Sequence, residues 1–444
     1  MIEYLCMGAY EKFLGMLKHS FVRKTALLQA GSVSASLIQA GSGVLIARIL
    51  QPELFGIYSL AFGLASLATL LVGSGFSDAA ASLVGGAYAR RDAEAISEAL
   101  AYFLKIVAAA SLVTVVILMA LPFISEAFYG DYRIGGYAII IAIAAMISSS
   151  YFSLTSISLQ VTGNICRLSS LMVSDQVVRY GLSLGLLAAG FGIAGAMTGH
   201  LLGALIIFFI SVLIWRRVSR SDPMIPSLRG LSRRIWRVPF KKYFAFISWV
   251  AIDRNLSTVY MSLPIILTGL YVAVEEVTFF KLAFGFVNLS LSFLGPISVI
   301  SNVEFPRFFE EDRSTVLKKF VKLSLYSSLL SLLITVVAIA VSAPVFRILY
   351  GESFLPGARY VAGLLVYGGF YGLGVGLGPM WRALNKVKLS IIINLAVLGA
   401  GIPLGLWLIR EYGIWGSIAM VTIWLAVSHL VSFLVLVRSL APNR

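Results

Sequence analysis

The tetrapeptide Leu60-Ala61-Phe62-Gly63 recurs almost half a chain later as Leu282-Ala283-Phe284-Gly285, at an offset of 222 residues. Three more stretches recur at an offset of 221, namely Phe128-Tyr129-Gly130 with Leu349-Tyr350-Gly351, Asn164 and Arg167-Leu168-Ser169 with Asn385 and Lys388-Leu389-Ser390, and Phe191-Gly192-Ile193 with Tyr412-Gly413-Ile414. One such match is expected by chance in an apolar sequence. Four matches at nearly one offset indicate an internal duplication.

The composition places these repeated stretches in a membrane. Of the 444 residues, 59% are hydrophobic and 12% are charged, and the mean hydropathy is +0.92. Soluble domains average roughly 45–50% apolar and about 25% charged residues, so the composition excludes a soluble protein. Cys6 and Cys166 stand far apart with no paired-cysteine pattern, and we expect neither a disulfide framework nor a zinc site.

Hydropathy predicts twelve membrane-spanning helices of about 20 residues each. The predicted spans are 25–47, 54–76, 100–121, 137–160, 168–189, 192–214, 243–268, 277–301, 321–343, 359–381, 389–409 and 413–437. Each half then holds six spans, and because six is even both halves have the same orientation, related by a pseudo-two-fold axis along the membrane normal. The expected fold is an all-α polytopic membrane protein with two parallel six-helix lobes.

The duplication also predicts the domain organisation. The expected segments are an interfacial N-terminal segment 1–24, an N-terminal lobe 25–214, a basic cytoplasmic linker 215–242, a C-terminal lobe 243–437 and a cytoplasmic tail 438–444. The linker carries nine basic residues and one acid, Asp222. We interpret it as a flexible segment that lies near anionic lipid.

The loop charges predict the orientation in the membrane. One set of loops holds 26 Lys and Arg residues and the other set holds five. Cytoplasmic loops carry the excess of positive residues, so both termini are expected in the cytoplasm and the protein in the cell membrane. The net charge of +15 then reflects topology, and no nucleic acid partner is expected.

Three regions resemble the polysaccharide transporter family, the Wzx-type flippases for O-antigen and other oligosaccharide-lipids. They are 42–58 (SGVLIARILQPELFGIY), the tripeptide Phe305-Pro306-Arg307, and the run from 348–351 through 382–386 to 412–417. The resemblance implies a fold like that of the multidrug antiporters of the same superfamily. It also implies that the protein flips a polyprenyl- or dolichyl-(pyro)phosphate-linked oligosaccharide from the cytoplasmic to the outer leaflet, for cell-surface polysaccharide such as lipopolysaccharide.

No G-x-x-x-x-G-K-S/T nucleotide-binding motif occurs in the sequence, so we expect neither an ATP motor nor a cofactor. The expected partners are the lipid-linked oligosaccharide and membrane lipids, with a polysaccharide polymerase and glycosyltransferases as candidate protein partners of a monomer. Two alternatives stay open at this point: a multidrug or cation antiporter, which would need unpaired carboxylates in its cavity, and a membrane enzyme. The enzyme is disfavoured because the two longest outer loops, 122–136 and 344–358, are short and carry few acids.

A polar stripe marks one face of the first span. It consists of Gln29, Ser32, Ser36 and Gln39, spaced by three, four and three residues. A face toward lipid would not be polar, so the stripe is expected to face protein or water. At offset 222 Arg254 of the seventh span is the repeat mate of Ser32. We therefore expect both halves to turn a polar face toward a central cavity.

Ionisable residues inside a membrane cost about 2.5–3.5 kcal/mol on insertion scales and are candidates for function. Arg254 is predicted near the midplane, and because a guanidinium suits phosphate geometry we expect it to bind the (pyro)phosphate. Arg179 and Arg48 are further candidates for substrate binding, together with the polar stripe, and Asp253 and Asp175 are candidates for ion coupling. Asp175 can instead form a salt bridge with Arg179 four residues later, and Arg48 can be structural.

Three other polar residues in the predicted spans have simpler interpretations. His200 and His429 do not correspond under the repeat, and we interpret them as histidines in helix contacts. Lys281 lies near the outer end of its span and is expected to extend its ammonium toward the membrane surface.

Overall fold

The computed structural model describes residues 20–72, 74–308 and 313–440, and within these ranges the chain is helical with no strand. The helices are α1 (Ser20–Ala68), α2 (Ser74–Ala89), α3 (Ala93–Tyr129), α4 (Tyr132–Val161), α5 (Ile165–Leu186), α6 (Gly192–Ser221), α7 (Leu228–Ile235), α8 (Lys241–Thr268), α9 (Val274–Leu291), α10 (Gly295–Phe308), α11 (Arg313–Leu349), α12 (Pro356–Gly363), α13 (Leu365–Tyr371), α14 (Leu377–Ala383), α15 (Val387–Tyr412) and α16 (Ile414–Leu440). This confirms the predicted all-α polytopic class.

Nine helical stretches of the described chain are long and apolar enough to cross a membrane, and a bent pair, Glu352–Gly363 with Leu365–Ala383, makes a tenth. At 1.5 Å per residue, the two longest stretches far exceed a hydrocarbon core of about 30 Å. Accordingly α1 breaks at Gln51, where φ is 62°, and Ile165–Ser221 breaks at Gly190, where φ is 91°. The two breaks divide these stretches further, and the more polar α8 adds one more piece. Because residues 51–68 and Leu70–Ala89 together fall in the region of the second predicted span, 54–76, the pieces correspond to the twelve predicted spans.

The described chain divides into two compact units. Unit 1 comprises the described part of Met1–Ile49 with Ala68–Ala120 and Ile139–Ala251, and unit 2 comprises Leu50–Leu67, Leu121–Ala138 and the described part of Ile252–Arg444. The boundaries fall inside helices and differ from those of the lobes 25–214 and 243–437. The lobe boundaries therefore remain a prediction that depends on the repeat.

Two of the domain predictions fall largely or partly outside the described residues. Of the predicted interfacial segment 1–24, residues 1–19 lie outside, and of the tail 438–444 residues 441–444 lie outside.

Glycines in two of the repeated stretches have positive φ in both halves. Gly192 and Gly413 both have φ of 57°, and Gly130 and Gly351 have φ of 66° and 104°. Glycine enters this left-handed region without the steric cost that other residues meet. The repeated motifs are thus repeated turns, placed 221 residues apart at helix junctions.

Close packing of the last two helices in each half also follows the repeat. In unit 1, Gly203 of α6 lies against the backbone of Arg179 in α5. In unit 2, Gly401 of α15 lies against the indole of Trp424 in α16. Trp424 is the repeat mate of Gly203 at offset 221. In both halves the last two helices therefore approach each other closely. The glycine that permits this approach lies on the second of the two helices in unit 1 and on the first of the two in unit 2.

A helix crossing within unit 2 joins two repeated segments, the part of α1 after Gln51 and the start of α9. The Thr278 hydroxyl donates to the Pro52 carbonyl over 2.7 Å, and a Cβ on Gly56 would meet the backbone of Val274. At offset 222 Val274 is the mate of Pro52 and Thr278 is the mate of Gly56. Replacing each residue by its repeat mate therefore turns the Thr278–Pro52 contact into the Gly56–Val274 contact. This is expected for parallel helices related by a local pseudo-two-fold axis.

Ser59 and Lys281, themselves mates at offset 222, meet at this crossing. Lys281 Nζ donates to Ser59 Oγ over 2.8 Å and lies 4.8 Å from the centroid of the Phe55 ring and 5.7 Å from that of Tyr58. The cation is stabilised by ring faces and a hydroxyl. The expectation that Lys281 extends its ammonium to the membrane surface is wrong, because this crossing holds it.

The basic linker 215–242 is ordered and packs on unit 1. Leu231 of α7 is buried, Tyr88 donates to Asp222 over 2.8 Å, and Lys105 donates to the Val238 carbonyl over 2.9 Å. The interpretation of this segment as flexible is therefore wrong. Buried apolar residues between the basic ones hold it against α2 and α3, and the total charge of the segment does not reveal them.

The crossing predicts a difference between two glycines of α1. Gly56→Ala places a methyl group on the Val274 backbone, whereas Gly41→Ala meets nothing within 4 Å. We expect Gly56→Ala to destabilise the fold by about 1–3 kcal/mol, the usual cost of overpacking, and Gly41→Ala to leave it unchanged or more stable. Thermal unfolding of both variants in the same detergent, followed by tryptophan fluorescence, measures this difference. Equal melting temperatures would contradict the crossing.

The charge bias predicts which side of the membrane the linker occupies. Ile225 is only 2% exposed, so a cysteine at the exposed Ser232 is the informative probe. In intact cells, an impermeant maleimide should miss Ser232→Cys and label Glu352→Cys, both placed in a background with Cys6 and Cys166 changed to Ser. Permeabilised cells should label both, which controls for reactivity. Labelling of Ser232→Cys but not of Glu352→Cys in intact cells would show that the orientation is opposite to the predicted one.

Candidate functional site

The part of unit 2 around α8 encloses a cavity of about 430 Å³, which we call the C-terminal cavity. Helices α8, α9, α10, α13, α15 and α16 contribute to its walls together with the turns Ser292–Leu294 and Gly372–Gly376. Its polar and aromatic lining residues are Asp253, Ser257, Tyr260, Ser298, Tyr367, Tyr371, Asn394, Trp424, Ser428 and His429. Ligand sites in proteins commonly have volumes of about 300–1,000 Å³, so this cavity can hold a small ligand or one part of a large one.

Hydrogen bonds fix the wall of the C-terminal cavity between α8, α15 and α16. Ser428 Oγ donates to Asn394 Oδ1 over 2.8 Å, and Asn394 Nδ2 donates to the Ser390 carbonyl over 2.8 Å. The Tyr260 ring packs edge-on against Trp424, with 6.0 Å between centroids. Trp424 Nε1 is buried and has no hydrogen-bond partner in the described chain. The wall is thus a rigid set of amide, hydroxyl and aromatic groups.

The opposite wall is formed by α9 and the broken tenth span. Tyr367 donates to Asn288 Oδ1 over 2.9 Å, and its ring lies edge-on to Phe284 at 5.5 Å. A Cβ on Gly374 would collide with the imidazole of His429, whose Nδ1 lies 2.9 Å from the Phe370 carbonyl. The close approach of this span to α16 therefore depends on Gly374, and His429 makes the helix contact expected for it.

Asp253 brings charge to the C-terminal cavity. Its carboxylate is half-buried and lines the cavity, and the guanidinium groups of Arg382 and, more weakly, Arg254 act on it electrostatically. The sequence places Arg254 next to Asp253, but it does not indicate that Arg382, 129 residues later, acts on the same carboxylate.

Arg254 itself is exposed and does not line the C-terminal cavity. On α8, the residues that line the cavity are Asp253, Leu256, Ser257, Tyr260 and Met261. Neighbours on a helix point about 100° apart. The face of α8 that carries Asp253 therefore lines the cavity, and Arg254 lies outside the lining. That Arg254 faces a central cavity stays a prediction.

The polar stripe of the first span lies in unit 1 and is largely accessible. Gln29, Ser36 and Gln39 are exposed and Ser32 is half-buried. Gln39 lies close enough to Tyr180 to act on its hydroxyl, and therefore reaches the α5 helix that carries two of the other candidates. Arg48 is exposed near the break of α1, nine residues further along the helix than Gln39.

Arg179 and Asp175 form a buried ion pair in unit 1. Arg179 Nε lies 2.6 Å from Asp175 Oδ1, both residues are 7% exposed, and Gln176 donates to the second carboxylate oxygen over 2.9 Å. His200 packs on Tyr180 beside the pair, at 5.4 Å between ring centroids. This geometry favours the salt-bridge alternative over a substrate site, because each charge already has its partner.

Sequence reasoning missed most of the C-terminal cavity. Tyr260, Tyr367, Asn394 and Ser428 were not among the predicted site residues, although each is a polar side chain within a predicted span. The rule that polar groups at membrane depth have a purpose applies to amides and hydroxyls as well as to charges, and would have identified Asn394 in an otherwise apolar helix.

Comparison with known proteins assigns this architecture. The family model described as a polysaccharide biosynthesis protein matches residues 45–359. No curated protein matches the sequence.

Solved transporters share the fold. The inward-facing conformation of a multidrug resistance MATE family transporter of the MOP superfamily is 17% identical, with a TM-score of 0.70 over 91% of this chain and 95% of that one. The outward-facing conformation of such a transporter is 19% identical, with a TM-score of 0.64 over 95% and 96%. A MOP superfamily transporter from Pyrococcus furiosus is 18% identical, with a TM-score of 0.60 over 96% of both chains. At these identities the likeness establishes a MATE-like fold.

The buried pair predicts a specific pattern of stability. Arg179→Met leaves the Asp175 carboxylate buried without its cation, which typically costs about 3–5 kcal/mol. Asp175→Asn with Arg179→Met removes both charges and should restore most of the loss. Protein abundance and melting temperature in detergent measure the effect, with Arg410→Met, at an exposed position, as the matched control. A stable Arg179→Met protein would show that the pair is dispensable for folding.

Proposed function

Because the chain belongs to the polysaccharide biosynthesis protein family, we propose that it is a flippase for polyprenyl- or dolichyl-(pyro)phosphate-linked oligosaccharide. The substrate has an anionic phosphate, a polar glycan and a long apolar tail. The protein must offer cationic donors to the phosphate and a polar cavity to the glycan, while the tail stays in lipid. The flipped product serves the synthesis of cell-surface polysaccharide, with lipopolysaccharide O-antigen as the type of product proposed.

The observation that carries this proposal is that two guanidinium groups outside the lining of the C-terminal cavity act electrostatically on the carboxylate within it. Arg382 and Arg254 both act on Asp253, which lines the cavity. Guanidinium presents a planar fork of donors that matches phosphate oxygens. In the proposal, the substrate phosphate binds beside these arginines, in competition with Asp253.

The walls of the C-terminal cavity suit the first sugar residues after the phosphate. Aromatic rings such as Tyr260 and Tyr371 offer apolar faces with a polar edge, and sugar rings present C–H groups on their faces and hydroxyls at their rims. Asn394 and Ser428 offer amide and hydroxyl groups that can exchange partners with those rims. Multidrug binding would need little of this hydrogen-bonding capacity.

Competition at the arginines also gives a route for ion coupling. When phosphate binds Arg254 and Arg382, Asp253 loses part of its positive surroundings, and a proton or a sodium ion can compensate. Asp175 is less suited, because Arg179 holds it in a buried pair. The proposed coupling residue is therefore Asp253.

The proposed setting is the cell membrane, with both termini in the cytoplasm. The protein acts as a monomeric transporter and not as an enzyme. Glycosyltransferases that build the lipid-linked glycan and a polymerase that consumes it are its proposed partners. The lipid carrier is held by the surrounding bilayer, so membrane lipids are partners of the outer helix faces.

Substitutions of Arg254 test the phosphate site. Arg254→Lys keeps the charge but loses the planar fork, and should retain part of the export of lipid-linked sugar. Arg254→Ala should lower export about tenfold or more, since hydrogen bonds to charged groups contribute about 1.5–3 kcal/mol, and Arg254→Glu should be worse because it repels phosphate. The measurement is the outer-leaflet fraction of lipid-linked sugar, at matched protein abundance, in cells without the native copy.

Arg410→Ala, which removes a guanidinium from another exposed position on α15, is the control and should export normally. Normal export by Arg254→Glu would refute the phosphate site. A parallel loss of protein abundance in all three Arg254 variants would assign the residue a structural role. Transport of ethidium-like cations in place of sugar lipid would favour the multidrug antiporter instead.

A further inference from the structure

Unit 1 holds a second cavity, of about 320 Å³, between α2 and α4; we call it the N-terminal cavity. It occupies the place in the first half that the C-terminal cavity occupies in the second. Val72 and Ser153 line the former, and their repeat mates Leu294 and Gly374, at offsets 222 and 221, line the latter. The duplication has thus produced two cavities at equivalent places, whose walls differ in chemistry.

One face of α4 supplies the polar wall of the N-terminal cavity. Its residues, at helical spacing, are Ser148, Ser149, Ser153, Ser156 and Gln160. Asp78 of α2 also lines the cavity and is the one charged side chain among its described lining residues. Polar groups within a membrane are costly and are retained where they serve a site. Five on one helix face, together with a carboxylate, make this wall suited to a polar occupant.

The hydrogen bonds of these serines define what kind of occupant fits. Ser148 and Ser149 donate their hydroxyl protons to carbonyls of their own helix, over 3.0 and 2.9 Å, so the oxygen lone pairs are what they offer to the cavity. The Asp78 carboxylate is also an acceptor. Ser156 Oγ is buried and makes no hydrogen bond within the described chain. The wall is rich in acceptors, which repels phosphate and favours a ligand with many donors.

A polyhydroxyl ligand fits this wall better than a bare metal cation. A hard cation needs oxygen ligands that converge to about 2.3–2.6 Å around one point, whereas about 320 Å³ is a wide cavity with room for about ten waters at 30 Å³ each. Sugar hydroxyls are donors spread around a ring and can reach several acceptors at once. Phe152 also lines the cavity and offers an apolar surface to the ring C–H groups.

We propose that the N-terminal cavity is a carbohydrate subsite, in which Asp78 and the serine face of α4 bind hydroxyl groups of a neutral sugar residue. This rests on the proposed flippase function and deepens it, because it assigns a sugar of the glycan to a cavity separate from the arginines proposed for the phosphate.

The test uses cysteine protection in the full-length protein, reconstituted in nanodiscs, with Cys6 and Cys166 changed to Ser. Ser149→Cys is alkylated by N-ethylmaleimide, and the rate is measured with glucose, galactose, mannose or N-acetylglucosamine up to 200 mM. We expect at least one of these sugars to slow alkylation threefold or more, while inorganic phosphate has no effect. Asp78→Asn should abolish the protection, and Ser232→Cys on the linker is the control that no sugar protects.

Three results would overturn the subsite: no protection by any of the four sugars, equal protection by sodium chloride alone, or protection that survives Asp78→Asn. Ser153→Cys, on the same face, repeats the test if Ser149→Cys does not fold, as judged by size-exclusion chromatography. The assay contains no lipid-linked substrate, so it is independent of the Arg254 series. If sugars protect the cysteine and Arg254→Glu exports normally, the subsite is supported and the phosphate site is rejected. If no sugar protects the cysteine and Arg254→Glu loses export, the subsite alone is rejected.

Discussion

The bilayer imposes the constraint on which the rest of this structure depends, because a polar group that faces hydrocarbon has no water with which to pair. Backbone groups meet the constraint within helices. Many side chains meet it by local bonds, as when Thr155 donates to the Ser211 carbonyl over 3.0 Å and the hydroxyls of Thr268 and Ser417 pair at 2.7 Å. Other polar side chains, such as Ser153 and Tyr371, line the two cavities.

Two cavities of common origin have acquired different chemistry. In unit 2, aromatic rings and an amide surround a carboxylate on which two guanidinium groups act. In unit 1, serines and a carboxylate form the wall, and no cation lines it within the described chain. Duplication supplied the scaffold twice, and divergence then tuned each copy.

Much of the fold could be predicted because its determinants are local. Hydropathy locates the spans, and turns such as those at Gly192 and Gly413 recur in the sequence as well as in the backbone. The offset of 222 even pairs Ser59 with Lys281, which are in contact. The spacing of apolar residues does not predict how each of these helices is rotated about its own axis. That rotation determines that Asp253 and not Arg254 lines the C-terminal cavity.

Contacts between distant segments also escaped the sequence reasoning. The action of Arg382 on Asp253 and the bond between Tyr367 and Asn288 depend on how separate helices pack. The order of the linker depends on a few buried residues, such as Leu231, in a stretch dominated by charge. Each of these features requires tertiary structure, because no local pattern in the sequence encodes it.

The meeting of Ser59 and Lys281 bears on the ancestry of the chain. In a homodimer of a six-helix ancestor, a residue on the two-fold axis faces its own copy. Two lysines there would repel each other, and two serines could not engage the aromatic faces that now hold the ammonium. With two copies of the repeat in one chain, one position can change without the other. At the crossing between α1 and α9 the two copies therefore differ where they meet, and the contact of a serine with a lysine is possible only because the repeat is no longer symmetric there.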